Sequence, residues 1–358
     1  MSEPTPASQN WDLLISEIEK ARCVLFIGPD LLSKPDGPSF QQRLRTHLEA
    51  KAGRSMPYYS EDEFFSFQKI SQKRGTYKAI QEYYEGEKPD ELHELLAEIP
   101  FSLILSLSPD HLLAKAFEDK GFVYQDAYYK MGENPEALAK PYPDQPLLYN
   151  LLGSANDDQS LVFSYEDLFS YLEGMFGAYD LPDTLRDAIQ EANHLIFLGI
   201  QYEKWYMKLL LRLLKLHQEK LVEACSQRGK VEGELKSFYE EHFDEINFIE
   251  VGAGNFIREL HKRCEAKGLL RKRDQNWQGN MLQQIQTAVA VSDTQDALNS
   301  LRVYAQRYQP EWLNELALLA GQHNALERDR RGNLIDYDTA ERRLAQLHKS
   351  LLDLAQSA

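Results

Sequence analysis

The chain has 358 residues, 43% of them hydrophobic, and a formal net charge of −16. That length accommodates one large α/β domain and a small second one, and that apolar share excludes global disorder. The acidic balance argues against DNA or RNA as the main partner, because neutralising phosphates takes clustered Lys and Arg.

Residues 1–10 are polar, carry two prolines and lack an apolar signal segment, so they are expected to be a flexible terminus. No run of 18 uninterrupted apolar residues occurs, which predicts no transmembrane helix and, by default, a cytoplasmic location. Trp11 to Ala21 places Trp11, Leu14, Ile15 and Ile18 on one helical face. Five short apolar runs then read as buried strands: 23–27, 102–106, 160–164, 194–198 and 246–251. Most are nearly continuous in apolar character, as a parallel sheet covered on both faces requires. Between them, 41–52, 76–85, 91–98, 183–191, a long leucine-rich segment at 205–226, and 256–266 read as helices. Strands alternating with helices predict an α/β fold, a doubly wound and mostly parallel Rossmann-like sheet. Cys23, Cys225 and Cys264 are far apart and form no CxxC pair, so neither a disulfide framework nor a metal site is expected.

After residue 266 the composition changes. The basic run Lys267-Gly268-Leu269-Leu270-Arg271-Lys272-Arg273 reads as part of a solvated linker over 267–278, or else as a contact for an acidic partner or nucleic acid. From 279 onwards no strand is apparent. Four helices are expected at 281–291, 294–307, 311–328 and 336–357, with Ser292 or Asp293 and Asp336 as candidate N-caps. The organisation is therefore an α/β domain over 11–266, the linker, and a small all-α domain over 279–358.

Four strand-end turns, and the stretch Leu147 to Ser154 just ahead of the strand at 160–164, are candidate sites, since open parallel sheets bind ligands beyond the carboxyl ends of their strands. The first, Gly28-Pro29-Asp30-Leu31-Leu32, offers one glycine. Pro29 has no N–H to give a phosphate, and Asp30 puts negative charge where an anion has to sit. In the second, Ser108-Pro109-Asp110-His111, the last two residues can form an acid–base pair, or the first three can open a helix as Ncap, N1 and N2. The third, Leu151-Leu152-Gly153-Ser154, has no strong acid or base, and the Asn156-Asp157-Asp158 that follows reads as a solvated turn. The fourth is Gly199-Ile200-Gln201 with Glu203. The fifth, Gly252-Ala253-Gly254, is equally well explained by helix capping.

In order and spacing, these segments resemble the sirtuin-like domain of prokaryotic defence proteins, across about 11–265. Gly28 matches the first glycine of that family's phosphate loop, whose later small residues are here Pro29 and Asp30. Leu107-Ser108-Pro109-Asp110 with Leu112 and Leu113 matches its Thr-Asn-Tyr-Asp motif, so that Ser108 stands at the catalytic Asn. Leu151-Leu152-Gly153-Ser154 matches Leu-His-Gly-Ser, so that Leu152 stands at the catalytic His. Gly199-Ile200-Gln201 matches Gly-Tyr-Ser. The resemblance implies NAD or an ADP-ribose-like nucleotide as ligand, held by Gly28, Asp30, Ser108, Asp110, Gly153, Ser154, Gly199 and Gln201; the residues themselves single out no cofactor. In such a family the Asn places a water or ribose hydroxyl and the His acts as base, and loss of a general base costs a factor of roughly 10²–10⁴. The resemblance thus predicts a degenerate site, with Asp110 and His111 as the only nearby substitutes. Leu152 and Pro29 are expected to fill the space where nicotinamide would sit.

From Leu316 to Arg343 the chain resembles the helical effector-associated domains of bacterial conflict systems, chiefly through Asn324-x-Leu326-Glu327-Arg328-Asp329 and Gly332-x-Leu334-Ile335. This implies that Leu326, Leu334 and Ile335 pack a core, that Glu327, Arg328 and Asp329 pair across helices or with a partner, and that the domain recruits a protein carrying a like domain. The expected function is a sensor or scaffold in an antiviral or conflict system, able to form homo-oligomers. The alternatives are a residual NAD hydrolase that depletes NAD during phage infection, or a purely structural oligomer.

Overall fold

The structure, a computed structural model, describes residues 10–32, 37–52, 56–135, 138–177, 180–214, 216, 220–225, 233–243, 245–249, 251–272, 285–286, 288–289, 294–332 and 334–356. The expected flexible terminus up to residue 9, the linker beyond Lys272, most of the helix expected at 281–291 and the caps at 292–293 lie outside these residues. The chain divides into two compact units, one made of 1–135 and 141–273 and the other of 136–140 and 274–358.

The first unit is built on seven strands: β1 Cys23–Ile27, β4 Leu103–Ser106, β5 Gln125–Tyr128, β6 Leu147–Asn150, β7 His194–Leu198, β8 Leu221–Cys225 and β9 Glu245–Ile249. Their order is β5-β6-β4-β1-β7-β8-β9, and every pairing is parallel. A separate antiparallel pair joins β2 Tyr58–Tyr59 to β3 Phe64–Phe65. The expected fold class is therefore met. The near-continuous apolar strands have the reason anticipated: both faces are covered. Cys23, Leu25 and Ile27 with Ile104, Ile196 and Leu198 belong to one core, while their alternate neighbours Phe26 and Phe197 meet edge-on at 5.0 Å on the other side.

That first core is closed by α1 Trp11–Glu19, α4 Glu91–Glu98, α5 Leu112–Lys120 and α10 Ala253–Ala266. Asn10 caps α1 through its side chain, and Trp11, Leu14, Ile15 and Ile18 bury the predicted face; Trp11 stacks on Phe256 at 5.3 Å. A second apolar cluster gathers α2 Phe40–Ala52, α3 Ile70–Gly86, Phe65 and the stretch from Ala155 to Phe163.

Four expectations are corrected. The helix expected at 205–226 ends early, as α8 Trp205–Leu213, and the chain re-enters the sheet as β8. The six leucines between 209 and 216 masked that boundary. The apolar run at 160–164 is no strand. It passes beneath Gly153, whose added Cβ would lie 2.0 Å from the Ser160 carbonyl oxygen, and it ends in Ser164, the N-cap of α6 Tyr165–Phe176. The strand of that region is β6, read beforehand only as the approach to it. The helix after β4 starts at Leu112, not at Pro109; Asp110 caps it by accepting from the Leu112 N–H at 2.9 Å. Finally, 267–272 is no solvated linker. Leu269 and Leu270 pack on the first core, and Arg271 is buried, donating from Nε to the Ala97 carbonyl and from Nη2 to those of Ile99 and Phe101.

The described part of the second unit contains α11 Thr294–Tyr308, α12 Leu313–Arg331 and α13 Tyr337–Gln356, close to the helices expected there. Leu298, Leu301, Leu316, Leu319, Leu347 and Leu351 form its core, and Tyr304 stacks on Trp312 at 5.6 Å. Leu326 is buried as expected, but Leu334 is 72% exposed, so it does not pack this core.

Candidate functional site

The chain leaves β1 for β4 on one side and returns to β7 on the other. The crevice beyond the carboxyl ends of these strands is where open α/β sheets place ligands. Four of the predicted turns converge there. What they build is largely closed. Pro29, Leu107, Pro109, Leu152 and Gln201 line a void of about 40 Å³, together with residues of α6, α8 and the 62–64 turn. Pockets for small ligands run to about 300–1,000 Å³, so this volume suits a few waters.

The glycines do not open it. A Cβ on Gly28 would lie 2.3 Å from the Gly199 carbonyl oxygen, and Gly199, at φ +65°, would place its Cβ 2.4 Å from the Leu31 nitrogen. Gly28 is glycine because the β7 turn presses against it, and Gly199 because the Asp30–Leu31 backbone does and because its φ is positive. The N–H groups that would cradle a phosphate are already used: Gly28 donates to Leu198, Asp30 to Gly199, Leu31 to Gly28, and Gly199 to Cys225, at 2.8–3.1 Å. Charge works against an anion as well. Gln201 donates from Nε2 to Asp30 at 3.2 Å and to Glu63 at 2.9 Å, so the turns after β1 and β7 are tied through two carboxylates. Buried Lys204 answers Glu63 at 3.8 Å and bonds the Glu61 carbonyl. Glu63, at φ +62°, is held in a backbone conformation that costs a non-glycine residue energy.

The β4 and β6 turns interlock in the same way. The Ser106 hydroxyl donates to the Ser108 carbonyl and accepts from its N–H, Asn150 donates from Nδ2 to the Asp110 carbonyl, and Ala155 N–H bonds Pro109. Ser108 is buried, and its hydroxyl has no hydrogen-bond partner among the described residues. Asp110 is taken up in capping α5.

His111 and Ser154 do not line the void. The His111 ring turns away from it, with Nε2 3.0 Å from the Ser154 Oγ and Nδ1 3.7 Å from Asp126. Serine, imidazole and carboxylate in sequence resemble a nucleophilic triad, but Ser154 is fully buried and its Oγ also accepts from the Asn156 N–H. It orients the ring; it is not presented as a nucleophile. His111 instead lines a second, larger cavity of about 240 Å³ with Asp126, Glu118, Lys115 and Tyr84. The Asp126 side chain is 38% exposed, and the desolvation of its remaining surface raises the carboxyl to about 6, with His111 opposing the shift and Glu118 adding to it.

The sequence singled out the turns, but not Asp62, Glu63 and Tyr206 around the void, nor Tyr84 and Asp126 around the cavity. None of these sits in a strand-end motif. Asp126 lies on the polar edge strand β5, which has no apolar run to announce it. Among the described residues no cluster of His, Cys, Asp and Glu suits a metal ion. No helix among them is long and apolar enough to cross a membrane. In the second unit Arg343 pairs with Asp329 across α12 and α13 at 3.3 Å, Arg330 pairs with Glu327 along α12, and Arg328 is exposed.

Comparison with known families addresses both units. Residues 102–226 match the SIR2-like domain, and residues 280–358 match effector-associated domain 11. A search of curated proteins finds no match.

Proposed function

We propose, from a chain that carries a SIR2-like domain followed by effector-associated domain 11, that it is a catalytically degenerate scaffold or sensor of a bacterial antiviral or conflict system. One observation carries the reading: the backbone N–H groups of Gly28, Asp30 and Leu31 in the turn after β1 are engaged with the protein itself, above a void of about 40 Å³ bordered by Pro29 and Leu152. NAD does not fit these residues. Its phosphates would meet Asp30 and Glu63 instead of free N–H groups, and Leu152 can neither accept nor donate a proton. With the base absent and the phosphate loop closed, the losses compound beyond the roughly 10²–10⁴ of a single general base.

In this reading the α/β unit supports assembly, including a homo-oligomer, in the cytoplasm. The helical unit recruits an effector protein that carries a like domain. The exposed charge of α12, with Arg328 at its centre, supports such a docking role. The test is incubation of pure, concentrated protein with NAD, recording both NAD loss and heat of binding. Neither is expected. Time-dependent NAD loss that tracks the protein through purification would overturn the reading in favour of an NAD hydrolase.

A further inference from the structure

One wall of the closed void is the tip of a short hairpin: Asp62, Glu63 and Phe64 line it. The hairpin has only two residue pairs, Tyr58 with Phe65 and Tyr59 with Phe64, too few to hold itself together. Its base and its tip are held in different ways. At the base, Phe65 is buried in the second apolar cluster, and its N–H bonds the Phe163 carbonyl at 2.8 Å. At the tip, polar side chains from two other parts of the chain do the holding. The Tyr165 hydroxyl, at the start of α6, donates to the Asp62 carboxylate. Lys204, just ahead of α8, donates to the Glu61 carbonyl and stands 3.8 Å from the Glu63 carboxylate. Gln201 donates to Glu63 at 2.9 Å. Phe64 alone of residues 59–64 is a buried apolar side chain, set against the rings of Tyr165 and Tyr206 at 5.1 and 5.3 Å.

Two features act on this tip in opposite directions. Glu63 sits at φ +62°, and Ala21 is the other non-glycine residue at positive φ among the described residues. Such a conformation costs energy and persists only where the surroundings impose it. The opposing feature is the ion pair. The Lys204 side chain is 6% exposed and that of Glu63 17%, and among the described residues no other carboxylate pairs with Lys204. Removing either partner leaves the other charge buried without its counter-ion. Strain works to lift the tip and the ion pair works to seat it, so the balance is set at Lys204.

We propose that the tip from Tyr59 to Phe64 is a strap, latched by Lys204, that lifts off the crevice as a unit while its base and the seven-stranded sheet stay folded. Lifting bares Leu107, Val162 and Met207, apolar side chains that are at most 8% exposed when the strap is seated. The α/β unit thereby gains an apolar surface present only in the lifted state, a moving part for the proposed sensor. The strap rests on that reading only for the closed crevice. NAD turnover by the chain would sink the scaffold reading and leave the strap standing.

The experiment is thiol labelling of the full chain. Cys23, Cys225 and Cys264 are 0% exposed, so a cysteine introduced into the void is the one thiol that reports on it. Leu107→Cys is reacted with Ellman's reagent at about pH 8, where thiolate forms readily, alone and combined with Lys204→Met or Tyr165→Phe. Alone, it should react at least about 100-fold more slowly than in the urea-unfolded chain. Lys204→Met should speed the reaction about tenfold to 100-fold, by breaking a buried ion pair, and Tyr165→Phe about threefold to tenfold. Amide exchange is measured on the same variants. Peptides covering 58–66 should exchange faster in step with the thiol, while those of β1 and β7 change less than about twofold, which general loosening of the unit would not allow. If Leu107→Cys fails to fold, Met207→Cys reports on the same void from α8, and exchange of the 58–66 peptides in Lys204→Met needs no introduced thiol. Labelling of the parent at the unfolded-chain rate, no acceleration by Lys204→Met, or equal acceleration of the thiol and of β1 and β7 exchange each overturns the proposal.

Discussion

Arg271 offers the sharpest test of where the α/β unit ends. Its guanidinium donates to three carbonyls at 3.1, 3.2 and 3.1 Å, those of Ala97, Ile99 and Phe101 around the end of α4, and lies 5.1 Å from the Phe117 ring centre. Hydrogen bonds from a charged donor contribute about 1.5–3 kcal/mol each, or about 4–9 kcal/mol for three. Burial acts in the other direction: it pulls the Arg271 pKa down from 12.5 to about 10, with Asp144 opposing, and at about 1.4 kcal/mol per unit that is a cost near 3 kcal/mol. The balance is about 1–6 kcal/mol. Arg271→Ala should therefore destabilise this unit by about 3 kcal/mol, because it also leaves the last carbonyls of α4 without donors. Arg271→Lys should recover less than half, since an ammonium cannot span three acceptors with a planar fork. The assay is native-state hydrogen exchange of peptides covering α4 and β4, which reads the opening free energy of this unit separately from the helical one. A change below about 0.5 kcal/mol, the range of ordinary surface substitutions, would refute the reasoning and restore the solvated linker.

Three further outcomes can be measured by urea denaturation. Gly199→Ala should cost at least about 3 kcal/mol, because the residue needs φ +65° and its Cβ would press into Leu31; a cost under about 1 kcal/mol would show that the β1 and β7 turns part easily. Asp126, whose carboxyl is raised to about 6, holds its proton in the folded state where the unfolded chain releases it. Its contribution is fully present below about 4 and lost as pH rises through about 6, so wild type should lose stability relative to Asp126→Asn between pH 4.5 and 7.5; a constant difference would contradict this. In the helical unit, Leu326→Ala should cost about 2–5 kcal/mol, whereas Leu334→Ala should stay within about 0.5 kcal/mol; equal effects would contradict the exposure of Leu334.

What the sequence made legible follows from what its patterns encode. The strands β1, β4 and β7 were readable because parallel strands buried on two faces must be apolar throughout, and helix α1 because one helical face is; β9, half-exposed at the sheet edge, showed through its isoleucines and phenylalanine. Strand β8 was hidden because Leu209 to Leu216 continue a helical pattern past the point where α8 stops. The edge strand β5, Gln-Asp-Ala-Tyr, has half its residues polar and no apolar run at all. Among site residues, the turns after β1 and β7 were visible as glycine-bearing strand ends and the turn after β4 as a polar one. That the Gly28–Leu31 and Gly199 turns press on each other was not visible, since 171 positions separate Gly28 from Gly199 and only the sheet order brings β1 beside β7. The cavity at Asp126 was equally out of reach, because Tyr84 and Asp126 come from a helix and an edge strand that share no motif.

The closed turns also set what a single substitution at Leu152 can do. On the proposed reading, Leu152→His would place an imidazole where the resemblance to the sirtuin-like family puts a base, and a placed base is worth roughly 10²–10⁴ in rate. That factor is realised only on a substrate held in geometry, since positioning carries much of such a reaction's barrier. Here Leu152 borders about 40 Å³, and histidine leaves the hydrogen bonds from Gly28, Asp30 and Leu31 untouched. The Gln201 bridge between Asp30 and Glu63 would also persist, keeping two carboxylates beside the phosphate position. Leu152→His alone should therefore show neither NAD loss nor heat of NAD binding. NAD loss above the wild-type background in that single variant would mean that the turns open readily in solution, and would count against the proposed scaffold reading.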